Sequence, residues 1–156
     1  MTRVNVHATG IVLGKTGLIL RGPSGAGKSL LALELIDEWG EAGKIVSDDR
    51  IDIEATRTGL VMYAPKAIAG LVELRGRGIV SRPFVAKAPL HLVVDLVDTL
   101  ERMVEEDALI TEIENISIAR CPVPRAGKVD SRHQLLLIRE ALRVLNPPKP
   151  RIKKTA

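Results

Sequence analysis

The run Gly22-Pro23-Ser24-Gly25-Ala26-Gly27-Lys28-Ser29 carries the densest chemical signal in the chain. It fits the spacing G-x-x-x-x-G-K-[ST], the phosphate-cradling P-loop. Glycines let successive backbone N–H groups turn inward. Those groups, with the positive end of a following helix, form an anion site. In such a loop Lys28 reaches the β- and γ-phosphates of a nucleotide, and the Ser29 hydroxyl ligates Mg²⁺. Leu18-Ile19-Leu20 before the loop suits a buried strand, and Leu30 to Trp39 after it is apolar at helical spacing. The motif therefore stands between a strand and a helix, as it requires. A chance match in a chain of this length is on the order of one in a hundred at the usual frequency of glycine. The plainer alternative is a glycine-rich turn capping an ordinary helix.

Phosphoryl transfer also needs metal ligands and a group that positions or deprotonates the acceptor. Asp48 and Asp49 follow the short apolar run Lys44-Ile45-Val46-Ser47, expected to form a strand beside the one that leads into the loop. Two adjacent carboxylates there could divide the work, one supporting Mg²⁺ through water and the other taking a proton. The competing reading is an Asp-rich turn. Leu92-Val93-Val94-Asp95 has the apolar-then-aspartate pattern of a Walker B strand. It ranks below the Asp48/Asp49 pair, because strand-end aspartates are common in turns. His7 sits near the start of the chain on an expected strand, where a lone histidine is more often structural. Glu73, in a stretch rich in Gly and Arg, is a candidate metal ligand. Arg75 and Arg77 are candidates for neutralising phosphate or binding an acidic partner.

Several elements must position these residues. The helix after Lys28 places Leu31, Leu35 and Ile36 on one face and ends around Gly40 to Gly43. Val4 to Ala8 alternates as a strand. Gly10 to Gly14 and Gly17 to Leu20 read as a hairpin around Lys15-Thr16, and Ile51 to Ala55 with Leu60 to Tyr63 as a second. A short helix is expected over Ala67 to Val72 and a charged loop over Glu73 to Ile79. Pro83 and Pro89 bracket an irregular link, and Leu90 to Val97 reads as a central strand. Asp98 to Asp107 is polar and reads as a loop or short helix. Ala108 to Ile113 and Ile116 to Ala119 form a last hairpin, closed by Pro122 and Pro124. Asp130-Ser131 caps a helix over Gln134 to Leu145, with Leu135, Ile138, Leu142 and Leu145 inward. A doubly wound small-molecule kinase alternates strand and helix. Here strands dominate between two helices. The pattern predicts an α/β fold: a P-loop on a mixed, largely antiparallel, strand-rich sheet with a C-terminal helix.

The 156 residues suffice for one domain with its own core, expected over 1–146. The basic, proline-rich tail 147–156 reads as a solvated, disordered end. Aromatic residues make up only 2% of a chain that is 46% hydrophobic, so the core must be aliphatic. No apolar run approaches the ~18 residues of a membrane span, and the N-terminus lacks the apolar core of a signal peptide. The single Cys121 excludes an internal disulfide and fits a reducing cytoplasm. It reads most simply as a small buried filler. The net charge of +4 raises the possibility of nucleic acid. Dispersed basic residues with no aromatic interleaving argue against it, and an anionic nucleotide accounts for the charge equally well.

Val6-His7-Ala8, the loop Gly22 to Ser29, Ser47-Asp48-Asp49-Arg50 and Leu71-Val72-Glu73-Leu74-Arg75-Gly76-Arg77-Gly78-Ile79 occur in an order that resembles the catalytic domain of HPr kinase/phosphorylase. The last segment is similar to that family's E-I-R-G-x-G-I signature. The resemblance covers roughly the first half of the chain and looks like a short form lacking the family's N-terminal domain. It implies a serine protein kinase that uses ATP and Mg²⁺ to phosphorylate HPr, the phosphocarrier of the sugar phosphotransferase system. It also implies the reverse reaction with inorganic phosphate, a nucleotide domain like that of phosphoenolpyruvate carboxykinase, and hexamers. Carried over by position, Lys28 holds the β- and γ-phosphates, Ser29 and Glu73 ligate Mg²⁺, and Asp49 is the general base. His7 is a catalytic histidine near it, Asp48 is its acidic partner, and Arg75 serves both directions. Position 77 is Arg where the family's commoner residue is Leu. Pro122 to Lys128 is the nearest match to its P-V-x-x-G-R-like loop. Two rival readings stand beside this one. The first is a small-molecule P-loop kinase or carboxykinase-like enzyme using Asp95. The second is a nucleotide-sensing module without catalysis.

Overall fold

Apolar runs punctuated by glycine set the strands of the computed structural model, which describes residues 3–65 and 69–146. The first three strands are β1 (Arg3–Val6), β2 (Ala8–Leu13) and β3 (Thr16–Arg21), followed by the helix α1 (Lys28–Trp39). Then come β4 (Gly43–Ser47), β5 (Ile51–Thr56), β6 (Gly59–Tyr63), β7 (Leu71–Leu74), β8 (Gly78–Ser81) and β9 (Lys87–Leu90). The chain continues through β10 (Leu92–Val97), β11 (Ile110–Ile113) and β12 (Ile116–Pro124) to α2 (Ser131–Leu145). Six strands form the central sheet in the order β11-β12-β10-β3-β2-β4. In it β10 runs parallel to both β3 and β12, while β2 is antiparallel to β3 and β4, and β11 to β12. A second, antiparallel sheet has the order β1-β5-β6-β9, and β7 and β8 form a separate ribbon.

Alternation along β3 and β10 explains the layering. Leu18 and Leu20 join Leu92, Val94 and Leu96 in a core shared with Leu35 and Ile36 of α1 and Ile138 of α2. Ile19 and Val93 point the other way, toward Ile53 and Met62 of the second sheet. A strand covered on both faces must be apolar throughout, which is why both read as continuous aliphatic runs. Fully burying each such side chain contributes about 1.5–3 kcal/mol. The two sheets approach closely at Gly17, where an added Cβ would lie 1.8 Å from the Pro89 carbonyl oxygen. Asp130 caps α2 by accepting a bond from the His133 N–H at 2.9 Å. Ile138 is fully buried, and Leu135, Leu142 and Leu145 pack against the same core as expected.

Several expectations need correction. The strand β4 does not lie beside β3, because β2 intervenes between them; the apolar run alone could not reveal which neighbour it pairs with. The stretch Glu73 to Ile79 is not a loop but the tip and flanks of the β7–β8 hairpin, with Val72 paired to Val80 and Glu73 to Ile79. Leu71 and Val72 open β7 rather than ending a helix, and residues 66–68 of that expected helix lie outside the described residues. Pro89 sits inside β9, an edge strand that tolerates the missing N–H. Pro122 and Pro124 do not close the last hairpin: β12 runs through both, pairing in parallel with β10. The first alternating run breaks at His7, a bend between β1 and β2. The expected tail lies outside the described residues. Among the described residues, no helix is long and apolar enough to cross a membrane.

Candidate active site

The glycine-rich segment links the end of β3 to the start of α1. Ala26 N–H donates to the Pro23 carbonyl at 3.1 Å, closing a tight turn. Gly25 and Gly27 have φ of 84° and 95°, the left-handed region in which glycine is free of Cβ strain. Gly27 is the N-cap of α1, and no side chain bonds the first-turn N–H groups. No acidic residue occupies that first turn either, so the positive end of the helix is left for an anion. The Lys28 side chain is buried and folds back over the loop. Its Nζ donates to the Gly22 carbonyl at 2.7 Å and to the Pro23 carbonyl at 3.2 Å. Pro23, Ser24 and Gly25 are exposed at the mouth.

Beside the loop, α1 and the turn after β4 bring a second set of groups together. Ser29 Oγ donates to the Asp48 carboxylate, 2.8 Å from Oδ1 and 3.1 Å from Oδ2. Thr9 Oγ1 of β2 donates to the same Oδ1 at 2.9 Å. His7 Nε2 and Asp49 Oδ1 share a hydrogen bond. The Asp49 side chain is 63% exposed and that of His7 51% exposed, so an incoming hydroxyl can reach them. The two carboxylates are thus divided. Asp48 faces the hydroxyls beside the glycine loop, and Asp49 faces solvent and an imidazole. Hard oxygen donors suit Mg²⁺, which keeps several waters and takes one or two carboxylates plus substrate phosphates. Ser29 Oγ and Asp48 fit that role. Among the described residues no cluster of three or more His, Cys, Asp or Glu forms a closed metal cage.

Other expected residues are not drawn into these contacts. Glu73 and Arg75 lie exposed on the β7–β8 hairpin, and their side chains make no hydrogen bond or ion pair among the described residues. The hairpin itself is anchored by Val72 and Leu74, which pack into the core shared with α1. Asp95 is fully engaged. Arg21 donates to its two oxygens at 2.7 and 2.9 Å, and Arg120 donates to Oδ2 at 2.6 Å. Burial pushes the Asp95 carboxyl up, but the bonds from Arg21 and Arg120 outweigh this and hold it below the usual range. The bond to Asp95 in turn raises Arg21. Cys121 is buried, and desolvation pushes its thiol up to about 12, which makes it an inert filler near neutral pH.

Residue type alone singles out neither Thr9 nor the contact made by Pro122 to Lys128, the stretch matched above to the family's later loop. Thr9 is fully buried yet polar, and its partner Asp48 lies 39 positions away, so nothing local marks it. The stretch Pro122 to Lys128 ends against the glycine loop: Ala126 N–H donates to the Ala26 carbonyl at 3.3 Å. A Cβ on Gly27 would lie 3.1 Å from the Ala126 methyl. Nothing local to either stretch announces that contact.

Comparison with known proteins matches this arrangement to one group. An HPr kinase/phosphorylase of Clostridium acetobutylicum is 32% identical over 125 residues, which are 76% of this chain and 40% of that protein. One from Enterococcus faecalis is 32% identical over 135 residues, 78% of this chain and 42% of that protein. The chain thus spans about two fifths of the length of these curated relatives. The solved structure of the Hpr(Ser) kinase/phosphatase from Coxiella burnetii matches with a TM-score of 0.73 at 25% identity, covering 91% of this chain and 92% of that one. The family model for the HPr Serine kinase C-terminal domain matches residues 1–131, and the chain belongs to that family.

Proposed function

We propose that this chain is an ATP-dependent serine protein kinase that phosphorylates the phosphocarrier HPr and also removes that phosphate by phosphorolysis. It would act in the cytoplasm, as a homo-oligomer, and regulate carbohydrate use through the phosphotransferase system. One observation carries the reading: Ser29 of the glycine loop is bonded to Asp48, and the next residue, Asp49, presents an exposed carboxylate bonded to His7. Phosphate cradle and proton acceptor therefore stand side by side.

The loop N–H groups after Pro23, with Lys28, bind the β- and γ-phosphates. Ser29 and Asp48, with Glu73 as a further ligand, would hold Mg²⁺, which would supply neutralisation of charge on the transferred group. Asp49 takes the proton of the acceptor serine as the serine oxygen bonds to the γ-phosphorus and the bond to the β-phosphate oxygen breaks. His7 orients Asp49 through their hydrogen bond. In reverse, Asp49 returns the proton to the serine oxygen as inorganic phosphate takes the phosphoryl group and pyrophosphate leaves. Arg75 offsets phosphate charge in both directions. The engagement of both Asp95 oxygens by arginines counts against a small-molecule kinase that uses Asp95 as its metal acid.

The test mixes the protein with Mg²⁺-ATP and HPr and follows HPr by mass. A gain of one phosphoryl group, lost on adding inorganic phosphate, is expected. Unchanged HPr despite ATP binding would instead indicate a nucleotide sensor.

A further inference from the structure

We propose that Thr9 is the positioning residue for both members of the aspartate pair, holding Asp48 toward Ser29 and Asp49 toward His7 with a single hydroxyl. The turn itself requires such a group. Asp49 has φ of 70°, and Arg50 N–H donates to the Asp48 carbonyl at 2.9 Å. That is a γ-turn of the left-handed kind, a strained conformation that persists only where its surroundings over-determine it. The strand leading into it is irregular as well. Gly10 pairs with Ser47 but Ile11 pairs with Ile45, which leaves Val46 as an extra residue on β4. A bulge of this kind re-aims the residues that follow.

Thr9 alone among the described residues joins both halves of the turn by its side chain. Its Oγ1 donates to Asp48 Oδ1 at 2.9 Å and accepts from the Asp49 N–H at 3.4 Å. A hydroxyl has one proton and two lone pairs, so both bonds form at once. Full burial shields them from competition with water. Valine would fill the same space and make neither bond.

The effect on rate rests on the phosphoryl transfer proposed above, whereas the effect on the turn does not, and the experiment separates them. Thr9→Val, Thr9→Ala and Thr9→Ser are compared with the parent chain in transfer to HPr and in amide exchange at Arg50. Thr9→Val should lower kcat roughly 10- to 100-fold, the loss of a hydrogen bond to a charged group. KM for ATP should stay within about threefold, and Thr9→Ser should restore most of kcat. Arg50 exchange in Thr9→Val should quicken about tenfold as the turn loosens. Thr9→Ala serves the same comparison if Thr9→Val does not fold. Parent-like kcat and Arg50 exchange in Thr9→Val would overturn the proposal. So would a Thr9→Ser variant as impaired as Thr9→Val, since that would point to packing. If the parent chain transfers nothing to HPr, the kinase reading fails. Arg50 exchange then decides alone: quickened in Thr9→Val it upholds Thr9's hold on the turn, and unchanged it overturns it.

Discussion

The turn after β4 and the interior of β10 each attach aspartate to an apolar stretch of the same six-stranded sheet, and they use it in opposite ways. Asp95 lies opposite Arg21 in parallel register, and its side chain is 16% exposed between two guanidiniums. Both of its oxygens are taken by fixed cations. Such a carboxylate stays ionised and has little capacity left for a metal or a proton. Asp48 meets neutral hydroxyls, and Asp49 meets an exposed imidazole and solvent. Their lone pairs remain available to a cation or an acceptor hydroxyl. Asp95, expected at a strand end, lies inside β10, and an aspartate after an apolar run is thus read by its partners rather than by the run before it. The Walker B pattern at Asp95 marks a structural tie across β3, β10 and β12. The less regular turn at Asp48 and Asp49 leaves its carboxylates free for the proposed chemistry.

That contrast can be broken by substitution. The largest effect is expected from Asp49→Asn, which should cut transfer to HPr by roughly 10²- to 10⁴-fold while sparing ATP binding, because it removes the proton acceptor but not the cradle. Single-turnover transfer from labelled ATP measures this, and full transfer by the variant would remove Asp49 from the mechanism. Next in size is Asp95→Asn. It leaves two part-buried guanidiniums without their counter-charge, so unfolding in urea should show a loss of about 2–4 kcal/mol. Transfer by the folded fraction should fall far less than in Asp49→Asn. A fully stable Asp95→Asn chain that has lost transfer would reverse the roles assigned to the two regions.

The smallest effect is a pH dependence that sharpens the same comparison. The Asp95 pKa is lower in the folded chain than its ordinary value of 3.8. Its contribution to stability is therefore present above about pH 4 and is lost as pH falls through the folded value. Urea midpoints measured between pH 5 and pH 2 should fall, and the fall should be shallower in Asp95→Asn. Parallel curves for the two chains would mean that another carboxylate carries the acid sensitivity.

Much of the fold was legible because it is written in local patterns. The glycine spacing places the loop between β3 and α1. Alternation yields the β5–β6 hairpin, although its turn is Arg57-Thr58 rather than the expected Thr58-Gly59, and Asp130 caps α2. The charged run around Glu73 misled because its hairpin is held mainly by Val72, Leu74 and Val80, while Glu73 and its neighbours at the tip face solvent. At the site, Lys28, Ser29, Asp48 and Asp49 could be nominated by residue type alone. Their division of labour could not.

Taken alone, the residues determined both long helices and most of the strands, and nominated a glycine loop for an anion and a pair of candidate carboxylates. These depend on neighbours a few positions apart, through backbone conformation and the period of the apolar pattern. Only the tertiary structure decided that β2 stands between β3 and β4, that arginines saturate Asp95, that Ala126 closes on the glycine loop and that Thr9 binds the aspartate turn. Those contacts join residues separated by 39 positions at Thr9 and Asp48 and by 74 at Arg21 and Asp95. Their formation depends on strand order and register, which the whole core sets together and no single stretch specifies.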